Sequence, residues 1–206
     1  MRVGIYGGVF NPPHVGHLIC AQEAVEQLEL DRLLIVPVGD APHREIESDP
    51  GADVRLRMCE LAFVPDERLE VSRVEIDREG PSYTVDTLRR LSVREPDSHF
   101  FLVMGGDQAA ALASWREPEE VLRLANVACV EREGARREEI RSGVAELAGA
   151  EFVRFLDMPR IDVSSTLIRR RVAEGRPIRH LVPDAVAGFV EERGLYRGAA
   201  VAGAPE

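Results

Sequence analysis

Short apolar runs alternate along this chain with segments whose apolar residues recur at helical spacing. The apolar runs are nearly continuous, which is typical of strands buried on both faces of a sheet. Strands are therefore predicted at Val3–Tyr6, Leu33–Val38, Leu69–Ile76 (as one strand or two short ones), Phe100–Met104, Asn126–Val130 and Phe152–Phe155.

Segments with helical periodicity separate these runs. The first helix follows the opening strand, and its apolar positions are Leu18, Ala21, Val25 and Leu28. Ser82 belongs to the residue types that cap helices, so it is predicted to cap the helix that follows it. The remaining predicted helices are Val54–Phe63, a segment containing Val85, Leu88 and Leu91, Ser164–Glu174 and Asp184–Arg193.

This alternation favours an α/β fold, a Rossmann-like doubly wound parallel sheet with helices on both faces and a small C-terminal helical part. Residues 1–197 are predicted to form a single domain, and 198–206 a disordered tail. Ligands of such sheets bind beyond the carboxyl ends of the strands. Gly7–Gly8 and Gly105–Gly106 each follow a strand and should lie at this edge, and the polar segment 42–51 is expected to form a flap.

Charge limits the classes of partner. The net charge of −10 argues against general attraction to nucleic acid. All 26 basic residues are arginine. The chain therefore has neither the lysine of a Walker A loop nor a lysine for Schiff-base chemistry, and any cation that contacts phosphate must be arginine or histidine.

The cysteines and the N-terminus point to the cytoplasm. Cys20, Cys59 and Cys129 are odd in number and widely spaced, so they are expected to be reduced and buried. The chain opens directly on a strand without a charged-then-apolar leader, and its apolar runs are too short to cross a membrane. A cytoplasmic protein without a membrane partner is expected.

The segment after the first strand is a candidate site for phosphate chemistry. His14 and His17 stand three residues apart behind Gly7–Gly8, where a helix is predicted to begin. Glycine lets the backbone approach a ligand closely, and a helix start points its amides at an anion. Zinc binding is disfavoured because the H-E-x-x-H spacing and a third group of ligands are both missing.

A second candidate anion site lies near the C-terminus. Ser164, Ser165 and Thr166 are followed one helical turn later by Arg169. A single N-cap explains one hydroxyl, but hydroxyls, free amides and the helix dipole together with an arginine make an anion site.

Three segments resemble known enzymes. G-G-V-F-N-P-P-H-V-G-H over 7–17 and V-S-S-T-L-I-R over 163–169 resemble two motifs of the nucleotidyltransferase superfamily, with Val163 in place of isoleucine. R-E-G-P-S-Y-T-V-D-T-L over 78–88 resembles a segment of the bacterial nicotinate-nucleotide adenylyltransferases. The resemblance extends over about Met1–Arg197 and includes Ala41–Arg44, Met104–Asp107, Trp115 and His180–Pro183.

The resemblance implies transfer of AMP from ATP to nicotinate mononucleotide in NAD biosynthesis, with Mg²⁺ carried by the ATP phosphates rather than by a protein metal site. It implies catalytic roles for His14, His17, Arg44 and Arg169. It implies acceptor contacts for Thr84, Trp115 and Arg132. ATP contacts are implied for Gly7, Gly8, Val9, Phe10, His14, Gly16, His17, Gly105, Asp107, Ser165, Thr166 and Arg169.

Several points stay open. Val9, Arg44 and Gly106 depart from the family's usual Ser or Thr, Lys and Ala, so a side-chain hydroxyl contact at Val9 is lost. Trp115 is equally explained as a packing aromatic. The alternative interpretation of Arg132 is a solvated charge between Glu131 and Glu133. Alternative functions are an adenylyltransferase for nicotinamide mononucleotide or for both mononucleotides, one for phosphopantetheine, and a non-catalytic nucleotide sensor. A homo-oligomer is left open.

Overall fold

A computed structural model describes residues 1–41, 45–64, 66–130 and 134–198. Its centre is one six-stranded sheet in the order β3-β2-β1-β4-β5-β6. All neighbouring strands are parallel. The strands are β1 Arg2–Gly8, β2 Arg32–Pro37, β3 Leu69–Val71, β4 His99–Gly105, β5 Ala125–Val130 and β6 Arg154–Leu156.

Helices cover both faces of the sheet. Core residues of α1, α2, α7 and α8 pack on one face, and those of α3, α4, α5 and α6 pack on the other. The helices are α1 Val15–Gln27, α2 Ala52–Phe63, α3 Thr84–Arg94, α4 Gly106–Ala110, α5 Pro118–Leu124, α6 Gly134–Val144, α7 Ser165–Ala173 and α8 Asp184–Glu192. The predicted doubly wound α/β class is confirmed.

Strand residues alternate between the two cores. In β2, Leu33 and Ile35 belong to the core under α1 and α2, whereas Leu34 and Val36 belong to the core under α3. Both sets are buried, which explains why the strands read as continuous apolar runs. The three cysteines are free and buried as expected.

Two strand predictions need correction. The segment Leu69–Ile76 pairs only over Leu69–Val71. Ser72 N–H makes a last bond to the Ile35 carbonyl at 2.8 Å, and a turn follows in which Asp77 N–H bonds to the Arg73 carbonyl at 2.9 Å. The segment predicted from Phe152 begins instead with a 3-10 turn, Ala150–Phe152, and the strand follows it as β6.

The helix predictions have one error and several omissions. Ser82 does not cap α3, which follows Tyr83 without a side-chain cap. The Ser82 Oγ instead accepts the N–H groups of Gly39 and Asp40, both at 3.2 Å. The crossovers between β4, β5 and β6 contain three helices that were not predicted: α4, α5 and α6. The proposed boundary between a domain over 1–197 and a tail stays a prediction, since 199–206 lie outside the described residues.

The topology brings the two glycine pairs to one edge of the sheet. Gly7 and Gly8 end β1, and Gly105 ends β4. β1 and β4 are parallel neighbours with Tyr6 paired to Val103, so both ends open on the same side. The chain runs from β1 outward through β2 to β3 and then returns to β4 on the other side of β1. The ends of β1 and β4 therefore lie at the topological switch point, where sheets of this kind bind ligands.

Candidate active site

The two histidines form one compact unit at the start of α1. The His14 backbone N–H donates to Nδ1 of His17 at 3.1 Å, and the His17 N–H donates to the His14 carbonyl at 2.8 Å. The two imidazole rings stack with centroids 3.7 Å apart. One helical turn therefore sets the relative orientation of the pair.

The bond to Nδ1 also fixes the tautomer of His17. A neutral imidazole that accepts at Nδ1 carries its hydrogen on Nε2. Burial, and secondly the charge of His14, lower the pKa of His17 well below its usual range. At neutral pH, His17 is therefore an uncharged hydrogen-bond donor through Nε2.

Phe10 and Gly16 hold the histidine pair in place. The Phe10 ring is buried under His17, with ring centroids 5.0 Å apart, and its backbone has a positive φ of 50°. A Cβ on Gly16 would come within 3.1 Å of two atoms of the His14 ring. The Phe10 side chain and Gly16 thus pack against the histidine pair, and their implied ATP contacts stay predictions.

The start of α7 is bonded directly to the residues before the histidines. Ser165 Oγ donates to the Pro12 carbonyl at 2.8 Å, and Arg169 Nη1 donates to the Asn11 carbonyl at 3.0 Å. Ser164 is the N-cap, because its Oγ accepts the Leu167 N–H at 3.1 Å. The Ser165 hydroxyl hydrogen is used on Pro12, so α7 can offer an anion its first backbone amides, the Thr166 hydroxyl and Arg169.

Arg169 is engaged by a carboxylate. Its guanidinium pairs with Glu47 and lies 3.3 Å from Thr166 Oγ1. The buried Asn11 side chain holds this loop, since its Nδ2 donates to the Glu47 carbonyl at 2.9 Å. The Asn11 Oδ1 accepts the Tyr196 hydroxyl at 2.6 Å. Asn11 therefore joins the turn after β1, the segment 45–51 and the C-terminal part, a role that the sequence reading missed.

A cleft of about 330 Å³ lies beside this unit at the carboxyl edge of the sheet. It brings Gly7, Gly8, Val9 and Gly105 of the implied ATP site together with Thr84 and Trp115 of the implied acceptor site. The other lining residues are Val38, Ala41, Glu75, Ser82, Tyr83, Leu102, Val103, Met104, Gln108 and Arg116. His14, His17, Ser165, Thr166 and Arg169 do not line the cleft but adjoin it through residues 9–13.

The far wall of the cleft combines aromatic and charged groups. The Arg116 guanidinium lies 4.8 Å from the centre of the Tyr83 ring and 3.8 Å from a carboxylate oxygen of Asp86. Glu75 is buried, and its Oε1 accepts the Thr87 hydroxyl at 2.8 Å. Burial raises the pKa of this carboxyl group, although Thr87, Arg78 and Ser82 oppose the shift.

The remaining predicted site residues fall into two groups. Asp107 is exposed in the first turn of α4, and it is the next residue, Gln108, that lines the cleft. Arg44 and Arg132 lie outside the described residues, so their roles stay predictions. The described part of the chain contains no group of three or more His, Cys, Asp or Glu side chains placed to hold a metal ion. In the same residues, no helix is both long and apolar enough to cross a membrane.

Comparisons with known proteins agree with this architecture. Residues 5–171 match the cytidylyltransferase-like family. A protein of Roseiflexus sp. named "Probable nicotinate-nucleotide adenylyltransferase" is 43% identical over 95% of this chain and 98% of its own length. A protein of the same name from Thermus thermophilus is 43% identical over 96% of this chain and 100% of its own. The chain belongs to the nicotinate-nucleotide adenylyltransferase family.

Solved structures extend the likeness to the fold. The Plasmodium falciparum nicotinic acid mononucleotide adenylyltransferase complexed with APC superimposes with a TM-score of 0.73 at 14% identity, over 95% of this chain and 96% of that one. At that identity the similarity shows the fold. Family membership confirms the relationship that the three sequence motifs indicated.

Proposed function

We propose that the histidine pair, the start of α7 and the adjoining cleft carry out the family's reaction, the transfer of AMP from ATP to nicotinate mononucleotide. The products are nicotinate adenine dinucleotide, an intermediate of NAD biosynthesis, and pyrophosphate. One observation carries the proposal. The start of α7, which carries Arg169, and a cleft lined by Tyr83, Thr84 and Trp115 meet at the turn after β1, beside the neutral imidazole of His17.

The acceptor needs little activation. Its phosphate monoester has a second pKa of about 6 and is largely a dianion at neutral pH, so no general base is required. One of its oxygens attacks the α-phosphorus of ATP, and the bond from that phosphorus to the bridging oxygen of pyrophosphate breaks. Catalysis then consists of alignment and of stabilising the charge that develops. His17 Nε2–H is a donor suited to a non-bridging oxygen of the α-phosphate.

The leaving pyrophosphate is assigned to the start of α7. Its first amides, Thr166 and Arg169 can hold the outer phosphates, and Arg169 must then exchange Glu47 for phosphate oxygens. Mg²⁺ enters as part of the substrate, MgATP, held by phosphate oxygens and water. Arg44 is predicted to add positive charge here.

The mononucleotide is assigned to the cleft. Trp115 and Tyr83 provide aromatic faces for the pyridine ring, and Arg116 provides a cation for an anionic ligand. α3 begins at Thr84, and the first amides of a helix have no partner within it, which favours binding of the nicotinate carboxylate there. Arg132 remains the predicted partner of the acceptor's phosphate.

Pyrophosphate release from ATP tests the assignment. Nicotinate mononucleotide, nicotinamide mononucleotide and phosphopantetheine are supplied in turn, with an acceptor-free control. We expect release with nicotinate mononucleotide at the highest kcat/KM. A higher kcat/KM with either other acceptor would overturn the substrate assignment, and no release with any acceptor would favour a non-catalytic sensor.

The proposal also includes a cytoplasmic location and no nucleic-acid or membrane partner.

A further inference from the structure

A fully buried arginine lies under the site. Arg55 is on α2, and its side chain is 0% exposed among core residues that include Met58 and Cys59. Taking a guanidinium out of water is costly unless its N–H groups are hydrogen-bonded and its charge is paired. The partners of Arg55 therefore indicate why the charge is tolerated at this depth.

All four partners of this guanidinium belong to segments that build the site. Its Nη1 donates to the Val38 carbonyl at 2.7 Å and to the Val9 carbonyl at 3.2 Å. Its Nη2 donates to the Gly39 carbonyl at 3.3 Å, and its Nε donates to Asp49 Oδ1 at 2.9 Å. One planar fork thus binds the chain just beyond β1, the chain just beyond β2 and the segment 45–51.

The peptide groups after β2 are held from two sides. In a trans peptide the carbonyl of one residue points opposite to the N–H of the next. The carbonyls of Val38 and Gly39 face Arg55, while the following N–H groups, of Gly39 and Asp40, face the Ser82 hydroxyl at 3.2 Å each. Arg55 and Ser82 therefore determine the orientation of two successive peptide planes on the wall of the cleft.

The same reasoning applies to the turn after β1. The Val9 carbonyl faces Arg55, so the Phe10 N–H points away from it. Val38 N–H also donates to the Gly8 carbonyl at 2.9 Å, which couples the two strand ends. Asp49 extends the network to the segment whose Glu47 pairs with Arg169.

We propose that Arg55 is a positioning residue for adenylyl transfer. Its guanidinium fixes the peptide groups at the ends of β1 and β2 and, through Asp49, the segment 45–51. It thereby keeps two parts of the site in a fixed relative position. These are the ATP side, formed by the histidine pair and the start of α7, and the acceptor side, formed by the cleft. This inference rests on the proposed function. A lysine at this position keeps one positive charge but loses the planar fork that reaches four acceptors at once.

Arg55→Lys is the principal test, and Arg57→Lys is the matched control. Arg57 lies on the same helix but makes an exposed pair with Glu60 at 2.9 Å. Steady-state pyrophosphate release is measured for each variant, well below its own Tm. We expect Arg55→Lys to lower kcat about 10²-fold, as for a small misalignment of reacting groups, with smaller changes in both KM values. A third variant, Arg55→Ala, removes the guanidinium altogether. Added methylguanidinium, which supplies the same planar donor group, should restore part of its kcat.

Asp49→Ala approaches the same network from its exposed end. The Asp49 side chain is 31% exposed, so this variant is expected to fold even if the arginine variants do not. Because a fully buried guanidinium loses its carboxylate partner, Tm should also fall, so kcat is measured well below the Tm of the variant. Under that condition kcat should fall about 10-fold, since the guanidinium loses one anchor. Wild-type kcat in Arg55→Lys, or in Asp49→Ala, would overturn the proposal and leave Arg55 with a purely structural role. An inactive wild type would instead refute the proposed function.

Discussion

The two sides of the site are held together over very different distances along the chain. On the ATP side, Ser165 and Arg169 bond to Pro12 and Asn11 across 153 and 158 residues, and Tyr196 bonds to Asn11 across 185. On the acceptor side, Ser82 bonds to Gly39 across 43 residues. The part of the ATP side that α7 forms therefore exists only when the C-terminal helices have docked, whereas one helical turn sets the histidine pair.

The difference also concerns what the side chains do. On the ATP side, the donors already have partners in the protein. The His14 N–H fixes the tautomer of His17, and the Glu47 carboxylate pairs with Arg169. On the acceptor side, aromatic faces line an open cleft. We therefore expect substitutions on the ATP side to change mainly kcat and the KM for ATP. Substitutions on the acceptor side should change mainly kcat/KM for the mononucleotide.

His17→Ala should have the largest effect. Removing a donor to the charge that develops in the transition state lowers kcat about 10²- to 10³-fold. Steady-state kinetics with circular dichroism measure this, and His99→Ala serves as control because His99 is exposed at the start of β4. A kcat close to wild type in His17→Ala would remove His17 from the mechanism.

Arg169→Lys comes next. Lysine cannot bond to the Asn11 carbonyl and bind phosphate bidentately at once, so kcat/KM for ATP should fall about 10- to 10²-fold.

The opposite change is expected for Glu47→Gln, which weakens the competitor for Arg169 and should lower KM for ATP about 2- to 5-fold. An unaltered KM for ATP in Glu47→Gln would show that this carboxylate does not compete with substrate.

Trp115→Ala should act on the other substrate. Loss of one aromatic face costs about 10-fold in kcat/KM for the mononucleotide while KM for ATP changes little. Phe152→Ala is a suitable control because Phe152 is 56% exposed and lies outside the cleft. Trp115 is the only tryptophan, so its fluorescence should also respond to mononucleotide. A larger effect on ATP than on the mononucleotide would contradict the division of the site into two sides.

Much of this arrangement was predictable because it follows from local sequence. The glycines after β1 and at the end of β4, the spacing of His14 and His17, and the N-cap at Ser164 depend on residues close together in the chain. Parallel strands then place the two glycine segments at one edge without further information.

What could not be predicted depends on partners far along the chain. Ser82 is predicted to cap a helix because serine is a common N-cap residue. In the structure its hydroxyl oxygen instead accepts the N–H groups of Gly39 and Asp40, just beyond β2. One feature of the sequence indicates that Arg55 is buried. By helical spacing it lies on the same face of the predicted helix as Met58, Cys59 and Ala62, which are all buried in the structure. The identity of its acceptors required the fold.

The smallest expected effect is on pH dependence and concerns His17 again. Its pKa is lowered in the folded protein by burial and by His14, so below about pH 6.5 the unfolded chain binds more protons at this position. Stability should therefore fall as pH drops below that point, by at most about 1.4 kcal/mol per pH unit for one proton. Protonation at Nδ1 would also break the bond from the His14 N–H. Urea unfolding between pH 8 and pH 5 measures the slope, and His17→Gln, which cannot titrate, should flatten it. Identical slopes in the two proteins would mean that His17 titrates alike in the folded and unfolded states, against the neutral donor assigned to the ATP side.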